Sequence, residues 1–158
     1  MARDILDIAS ALRDMYLSVF GFSEEESDLT EMKMHKLLYF AQKTHYKHFG
    51  EWLFDDEFEG WIHGPVNRKV RAAFMYLPPF EGELTPEEEY TLREVIYDYG
   101  RYTAGYLRKL SHQETAYKIS REGLREDEPG NRVISKNDMI LDMFENDDDA
   151  LFEDCEVH

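Results

Sequence analysis

Between Met34 and Leu77 the apolar residues change period twice, which restricts this stretch to a helix, a short extended unit and a second helix folded against one another. From Met34 to Phe49 they recur at helical spacing, with Met34, Leu37, Leu38, Ala41, His45 and Phe49 on one side. Gly50 follows as a C-terminal stop. From Leu53 to Ile62 the pattern turns extended, and Asp55-Asp56 reads as the turn between Trp52-Leu53-Phe54 and Phe58-Glu59-Gly60-Trp61-Ile62. Gly64-Pro65 reads as the end of the second strand. Val66 to Leu77 returns to helical spacing through Val66, Val70, Ala73, Phe74 and Leu77.

The flanking chain is helical in pattern. Residues 4 to 20 place Ile5, Ile8, Ala9, Leu12, Tyr16 and Val19 on one face, with Arg13 and Asp14 pointing away and Gly21 closing the helix. Asp28 and Glu31 have capping-box spacing for the central helix, with Thr30 as a rival N-cap. Thr85-Pro86-Glu87-Glu88 is a strong helix start, and Leu92, Val95, Ile96 and Tyr99 form that helix's apolar stripe. A short helix is expected over Tyr102 to Leu110. Ser111 to Glu114 reads as another capping box, opening a helix that carries Tyr117 and Ile119 and stops at Gly123. Val133-Ile134 reads as a brief extended piece, and Ser135 as the cap of a last helix. The fold class expected is mainly α: a single compact helical domain over 1-145, with a small β-hairpin inserted between two core helices, and an acidic C-terminal tail over 146-158.

Composition narrows the function. The 158 residues, 42% hydrophobic and 14% aromatic, suit one folded core. Thirty-four acids stand against eighteen bases, a formal net charge of −16. Such a surface repels phosphate backbones, so direct nucleic-acid binding is not expected; it suits a basic protein partner, or mimicry of nucleic acid, and keeps the chain soluble. Cys155, the only cysteine, sits among carboxylates that raise a thiol's pKa, and no intramolecular disulfide can form. The stretch MARDILDIASALRDMY does not read as a signal peptide, and no apolar run approaches the ~18–20 residues of a membrane span. A cytoplasmic protein with no membrane partner is expected.

Catalytic and metal-binding patterns are weak. His45 and His48 are three apart and Glu31 and His35 four apart on one helix, yet a zinc site needs a third ligand from elsewhere, so packing or surface roles are expected. His63 is expected to brace the turn before Pro65. There is no nucleophile elbow, P-loop or dinucleotide motif, so neither an enzyme nor a cofactor is expected. The basic run Asn67-Arg68-Lys69-Val70-Arg71 is expected to pair with the chain's own acids, the tail among them. Trp52, Phe54, Phe58 and Trp61 surround the hairpin; alternate members face the helices and the others leave an aromatic patch of the kind enriched at interfaces.

The string Lys36-Leu37-Leu38-Tyr39-Phe40-Ala41-Gln42, followed by an extended segment with Phe58, Trp61 and Gly64-Pro65-Val66, resembles the signature of the Panacea domain, the SocA-like antitoxin family once called a phage-associated protein of unknown function. The resemblance is strong over residues 28 to 76 and looser to 145. His112 and Tyr117 resemble a histidine and an aromatic residue at similar spacing in the family. Gly60 stands where the family carries another small residue, a departure of little consequence, and the acidic end after Asn137 lies outside the signature. The resemblance implies an antitoxin that neutralises a toxin encoded beside it by direct binding; the SocA member is similar to an adaptor that delivers its toxin to a bacterial protease. The partner implied is a cognate toxin, expected to be basic, with a bacterial protease as a further partner. Leu151 and Phe152, inside the acidic run, are expected to fold onto it. The alternative is a phage or mobile-element protein that binds and inhibits a host factor. Lys36, Tyr39, Gln42, Trp52, Phe58, Trp61, Gly64 and Pro65 are the partner-binding or family-motif candidates. Lys36 alone, read from its neighbours, is expected to be a solvated side chain lying over apolar residues.

Overall fold

The computed structural model describes residues 3–23 and 26–144. In order it contains α1 (Ile5–Phe20), α2 (Glu31–Phe49), β1 (Glu59–Trp61), β2 (Gly64–Val66), α3 (Arg68–Ala73), α4 (Pro86–Tyr99), α5 (Ala104–His112) and α6 (Thr115–Ser120), then α7 over 136–144. The chain is mainly α, with an antiparallel hairpin inserted between α2 and α3. The acidic segment from 146 onward, with Leu151, Phe152 and Cys155, lies outside the described residues, and so does the expected domain boundary.

α2 is the axis. It packs against α4, α5, β2 and α3, and every residue from Lys33 to Gln42 is buried. Its apolar stripe therefore does not face one side only, as periodicity suggests; neighbours close over the remaining faces as well. Thr30, not Asp28, is its N-cap, accepting from Lys33 N–H at 3.2 Å. Asp28 instead receives Lys33 Nζ at 3.0 Å. Ile8, Leu12, Leu37, Leu38, Phe54, Phe58, Leu92, Val95 and Ile96 make the core around it. Phe58 meets Tyr39 and Phe54 at ring-centroid distances of 5.3 and 5.9 Å. Thr85 and Glu88 form the reciprocal capping box of α4, and Glu88 also holds Arg3 at 2.7 Å. Arg13 does not point into solvent: its guanidinium donates to Leu77 O at 2.7 Å and Pro78 O at 2.9 Å, tying α1 to the chain after α3.

The hairpin lies one step later than the sequence suggests. Its strands pair Glu59 with Val66, Gly60 with Pro65 and Trp61 with Gly64, around a turn at Ile62-His63. Gly64-Pro65 is thus within the second strand and does not terminate it. Trp52-Leu53-Phe54 is not the partner strand because a side chain takes its backbone groups. Gln42 Oε1 accepts from Leu53 N–H at 2.9 Å and Phe54 N–H at 3.2 Å, and Gln42 Nε2 donates to Phe54 O at 2.8 Å. The expected extended piece at Val133-Ile134 does form, on the outer side of β1, with Gly60 N–H donating to Arg132 O at 2.9 Å and Ile134 N–H to Phe58 O at 2.8 Å. Gly60 is required there: a Cβ would stand 2.0 Å from Ser120 Oγ.

Two helix starts also move. Asn67, at 3.0 Å from Val70 N–H, caps α3, so Val66 remains in the sheet and the helix is short. Ser111 and His112 close α5 and do not open α6, because Ser111 Oγ donates back to Arg108 O at 2.9 Å; Glu114 precedes α6 without a side-chain cap.

Gln42 is the least replaceable of these links. Gln42→Ala leaves two N–H groups and one carbonyl buried without partners, an expected loss of roughly 3–5 kcal/mol. Urea denaturation measures it; a loss below about 1 kcal/mol would mean that water takes over these bonds.

Candidate functional site

Two lysines stand one turn apart on α2, and both are buried. Lys33 is fully satisfied: its Nζ donates to Tyr16 Oη at 2.8 Å, Asp28 Oδ2 at 3.0 Å and Gly100 O at 2.7 Å. Lys36 is 1% exposed, and its Nζ makes no hydrogen bond or ion pair among the described residues. This corrects the expectation of a solvated lysine. The hairpin turn and α5 close over that face of the helix, so the stem is enclosed and the ammonium is not carried out to water. Burial, with the Arg108 guanidinium nearby, holds the Lys36 amine down to about 8 against a weaker opposing pull from Glu31.

The hairpin shapes the space in front of this ammonium. Gly64 sits at φ 120°, a conformation L side chains rarely adopt, and a Cβ there would lie 2.6 Å from Lys36 Cε and 3.0 Å from Nζ. The turn is held from behind. His112 Nε2 stands 2.8 Å from Ile62 O, and Tyr117 Oη donates to Trp61 O at 2.5 Å. The sequence-matched pair His112 and Tyr117 therefore braces the hairpin. His63, assigned that task from sequence, is exposed and accepts from Arg108 Nε at 3.2 Å.

A pocket of about 390 Å³ opens here, lined by Lys36, His35, Trp61, Ile62, Val66 and Arg71, with Pro129 and Gly130 at one side. Its one carboxylate, Glu31, is already engaged: Oε2 receives His35 Nε2 and Arg71 Nη1, each at 3.1 Å. His35 Nδ1 accepts from Asn67 N–H at 3.3 Å, which requires an unprotonated nitrogen. Burial holds this histidine well below its usual range, so the ring is neutral at pH 7. Trp61 donates its Nε1–H to Glu59 at 3.0 Å and has the Arg68 and Arg71 guanidinium carbons 5.6 and 5.1 Å from its ring centroid.

A second groove, of about 420 Å³, lies between the end of α2 and the start of α4, lined by His45, Phe49, Glu51, Trp52, Asp55 and Glu87 among others. Trp52 packs against Tyr46 with ring centroids 4.4 Å apart and the rings tilted by 30°.

The candidate residues thus divide. Lys36 and Trp61 line the hairpin pocket, Gly64 packs against Lys36 Cε and Nζ, and Trp52 stands apart at the second groove. Tyr39 and Phe58 are core, Gln42 holds the 53–54 segment, and Pro65 is buried in β2. The paired-histidine metal idea finds no geometry. His45 Nδ1 lies 2.7 Å from Thr91 Oγ1, His48 Nε2 lies 3.3 Å from Glu94, and no cluster of three or more possible ligands occurs among the described residues. The basic run pairs with the chain's own acids: Arg68 with Glu59 at 2.8 Å, Lys69 with Asp4 and Asp56 at 2.8 and 3.1 Å, and Arg71 with Glu31. Among the described residues no helix is long and apolar enough to cross a membrane.

A family model described as antitoxin SocA-like, Panacea domain, matches residues 34–118. The chain belongs to this family. No curated protein and no solved structure matches it. The matched Panacea segment runs from α2 into α6, so it includes Lys36, the hairpin, Arg71, Arg108 and the bracing pair His112 and Tyr117. It leaves out α1, α7 and the 129–130 edge of the pocket. Arg108, Ile62 and Pro129 carry no sequence signal of a site; they reach it only through the fold. A sign of Lys36's burial was legible, because Met34 to Gln42 holds a single formal charge in a chain that is 33% charged.

Two substitutions test this picture. The unfolded chain keeps the Lys36 proton to about 10.5 and the folded chain releases it near 8, so the unfolded state binds more protons between these values and stability rises with pH across that window. Lys36→Met removes the penalty. The variant is expected to be more stable at pH 7, by up to roughly 3 kcal/mol, with the difference from wild type closing toward pH 10. Paired thermal melts across pH check this; a pH-independent difference would contradict it. Tyr39 Oη is buried without a partner among the described residues, so Tyr39→Phe is expected to be neutral or up to about 1 kcal/mol stabilising in urea denaturation.

Proposed function

We propose that this chain is a cytoplasmic antitoxin that neutralises one cognate toxin by direct binding, and that the groove beside Trp52 is the face that receives it. Membership of the antitoxin family, from the match over 34–118, carries the reading. The groove adds its chemistry. Glu51 and Asp55 are exposed, Phe49 and Trp52 supply aromatic surface, and the chain's own Lys136 is held there, its Nζ 5.7 Å from the Trp52 ring centroid and donating to Asp55 O at 2.7 Å. A basic segment of a partner would gain both charge complementarity and cation–π contact there. The formal charge of −16 supports fast, steered association with such a partner. The cations of α3 are engaged by the chain's own acids, which leaves the acidic surface to act outward.

Neutralisation on this reading needs only occlusion of the toxin; delivery to a bacterial protease is a further step, separable by following toxin half-life in a protease-deficient strain. The same acidity favours a second reading, a mobile-element protein that inhibits a host factor as a nucleic-acid mimic.

Co-expression with the products of neighbouring genes, scored by growth rescue and co-purification, tests the proposal. One neighbour is expected to be toxic alone, harmless with this chain, and bound to it. With that pair, the double variant Glu51→Lys/Asp55→Lys should fold normally yet associate about tenfold more slowly, with raised salt slowing the wild type in the same way. If every neighbour is harmless and none binds, the antitoxin reading falls and the host-factor reading moves ahead. If a toxin binds with no dependence on salt or on this pair, the groove is not the face.

A further inference from the structure

The Lys36 ammonium, without a partner among the described residues, points to a ligand site that does not depend on any toxin. A buried lysine without a counter-charge is expensive even after the protein relaxes around it. This chain has nearly twice as many acids as bases, yet among the described residues no carboxylate makes an ion pair with Nζ. Lys33, one turn earlier, shows the alternative the same helix uses, with an acid, a hydroxyl and a carbonyl around its ammonium. Glu31, the one acid near Lys36, is taken by His35 and Arg71. The pocket that Lys36 lines is walled by Trp61, Ile62 and Val66, with His35, His63 and Arg71 beside them, and Gly64 leaves the room that Lys36 Cε and Nζ occupy.

We propose that this pocket binds a monocarboxylate with an apolar body: Lys36 Nζ takes the carboxylate oxygen and Trp61, Ile62 and Val66 hold the carbon chain. Arg71 is already paired with Glu31 and His35 is neutral, so the ammonium supplies the pocket's one charge without a partner among the described residues, which matches a monoanion better than a phosphate dianion. The apolar walls select an acid that carries hydrocarbon over acetate or chloride. The carboxylate comes either from a small free acid or from a polypeptide, at its C-terminus or on an acidic side chain. The titratable groups around Lys36 are Glu31 and His35 of its own helix and Arg108 and His112 of α5, with Arg71 of α3 and His63 of the turn also lining the pocket. Lys36 is the only amine among them, so affinity should weaken as pH rises above about 8.

The test uses the full chain and its two indole N–H signals in nuclear magnetic resonance, Trp61 as reporter and Trp52 as internal control. Hexanoate is expected to shift Trp61 saturably and leave Trp52 in place, while hexanamide, its uncharged isostere, does not. Lys36→Met should weaken hexanoate binding about tenfold or more, and wild-type binding should weaken from pH 7 to pH 10. An acetylated leucine-terminated peptide, compared with its C-terminal amide, separates the sources. Tighter binding of the free-acid peptide than of hexanoate assigns a polypeptide carboxylate; weaker binding assigns a small free acid. No saturable Trp61 shift with either acid, an equal shift with hexanamide, or unchanged binding in Lys36→Met would overturn the proposal. None of these outcomes depends on whether a neighbouring toxin is neutralised.

Discussion

A helix enclosed on every side is the constraint the rest of this structure answers to. α2 carries Lys33, His35, Lys36 and Gln42 into a region without solvent, where an unmet polar group costs more than an ordinary apolar contact returns. Each is therefore made into a link. Lys33 ties the loop before α2 to the end of α4 through Asp28 and Gly100. His35 receives the backbone of Asn67, which itself caps α3. Gln42 stands in for a neighbouring strand at Leu53 and Phe54, and His45 meets Thr91 of α4. The polar residues of the helix thus position segments that have little regular structure of their own, and Lys36 is the exception that opens onto a pocket.

The charge distribution follows the same logic. The bases are few, and several turn inward or onto the chain's own acids: Arg3 to Glu88, Lys69 to Asp4 and Asp56, Arg71 to Glu31. Lys69 in particular joins the start of α1 to the loop before β1. Exposed pairs of this kind add little stability each, but they remove positive charge from the outer surface and leave it dominated by acids. The two grooves consequently differ in character. The one beside Trp52 is acidic and aromatic, whereas the one at the hairpin is lined by a lysine that has no ion pair among the described residues. A binding protein can use both without either interfering with the other.

Much of the fold was legible because its cues are local. The Thr85 capping box, the Gly21 and Gly50 stops, and the extended piece at Val133-Ile134 all stand where the residue pattern puts them. The hairpin was misplaced by one strand for a non-local reason: the alternating residues at 52–54 do read as a strand, and only Gln42 arriving from α2 takes the backbone groups that pairing would need. Ser111 to Glu114 carries capping-box residues but is caught in the last turn of α5, where Ser111 is satisfied by Arg108 O.

The sequence by itself determined the order of helix, hairpin and helix, the family, the acidity of the surface and the motif residues that build the core, since periodicity, capping and glycine placement act over a few residues. Only the tertiary structure decided which of those residues face a site. Lys36 reads as a surface lysine until the 62–64 turn and α5 are laid over it, Pro129 reaches the same pocket from far along the chain, and Arg108 comes close enough to act on the Lys36 ammonium. The physical reason is that burial is a property of the assembled neighbours: a side chain's solvation, and with it its charge state and chemistry, is set by segments that local pattern does not contain.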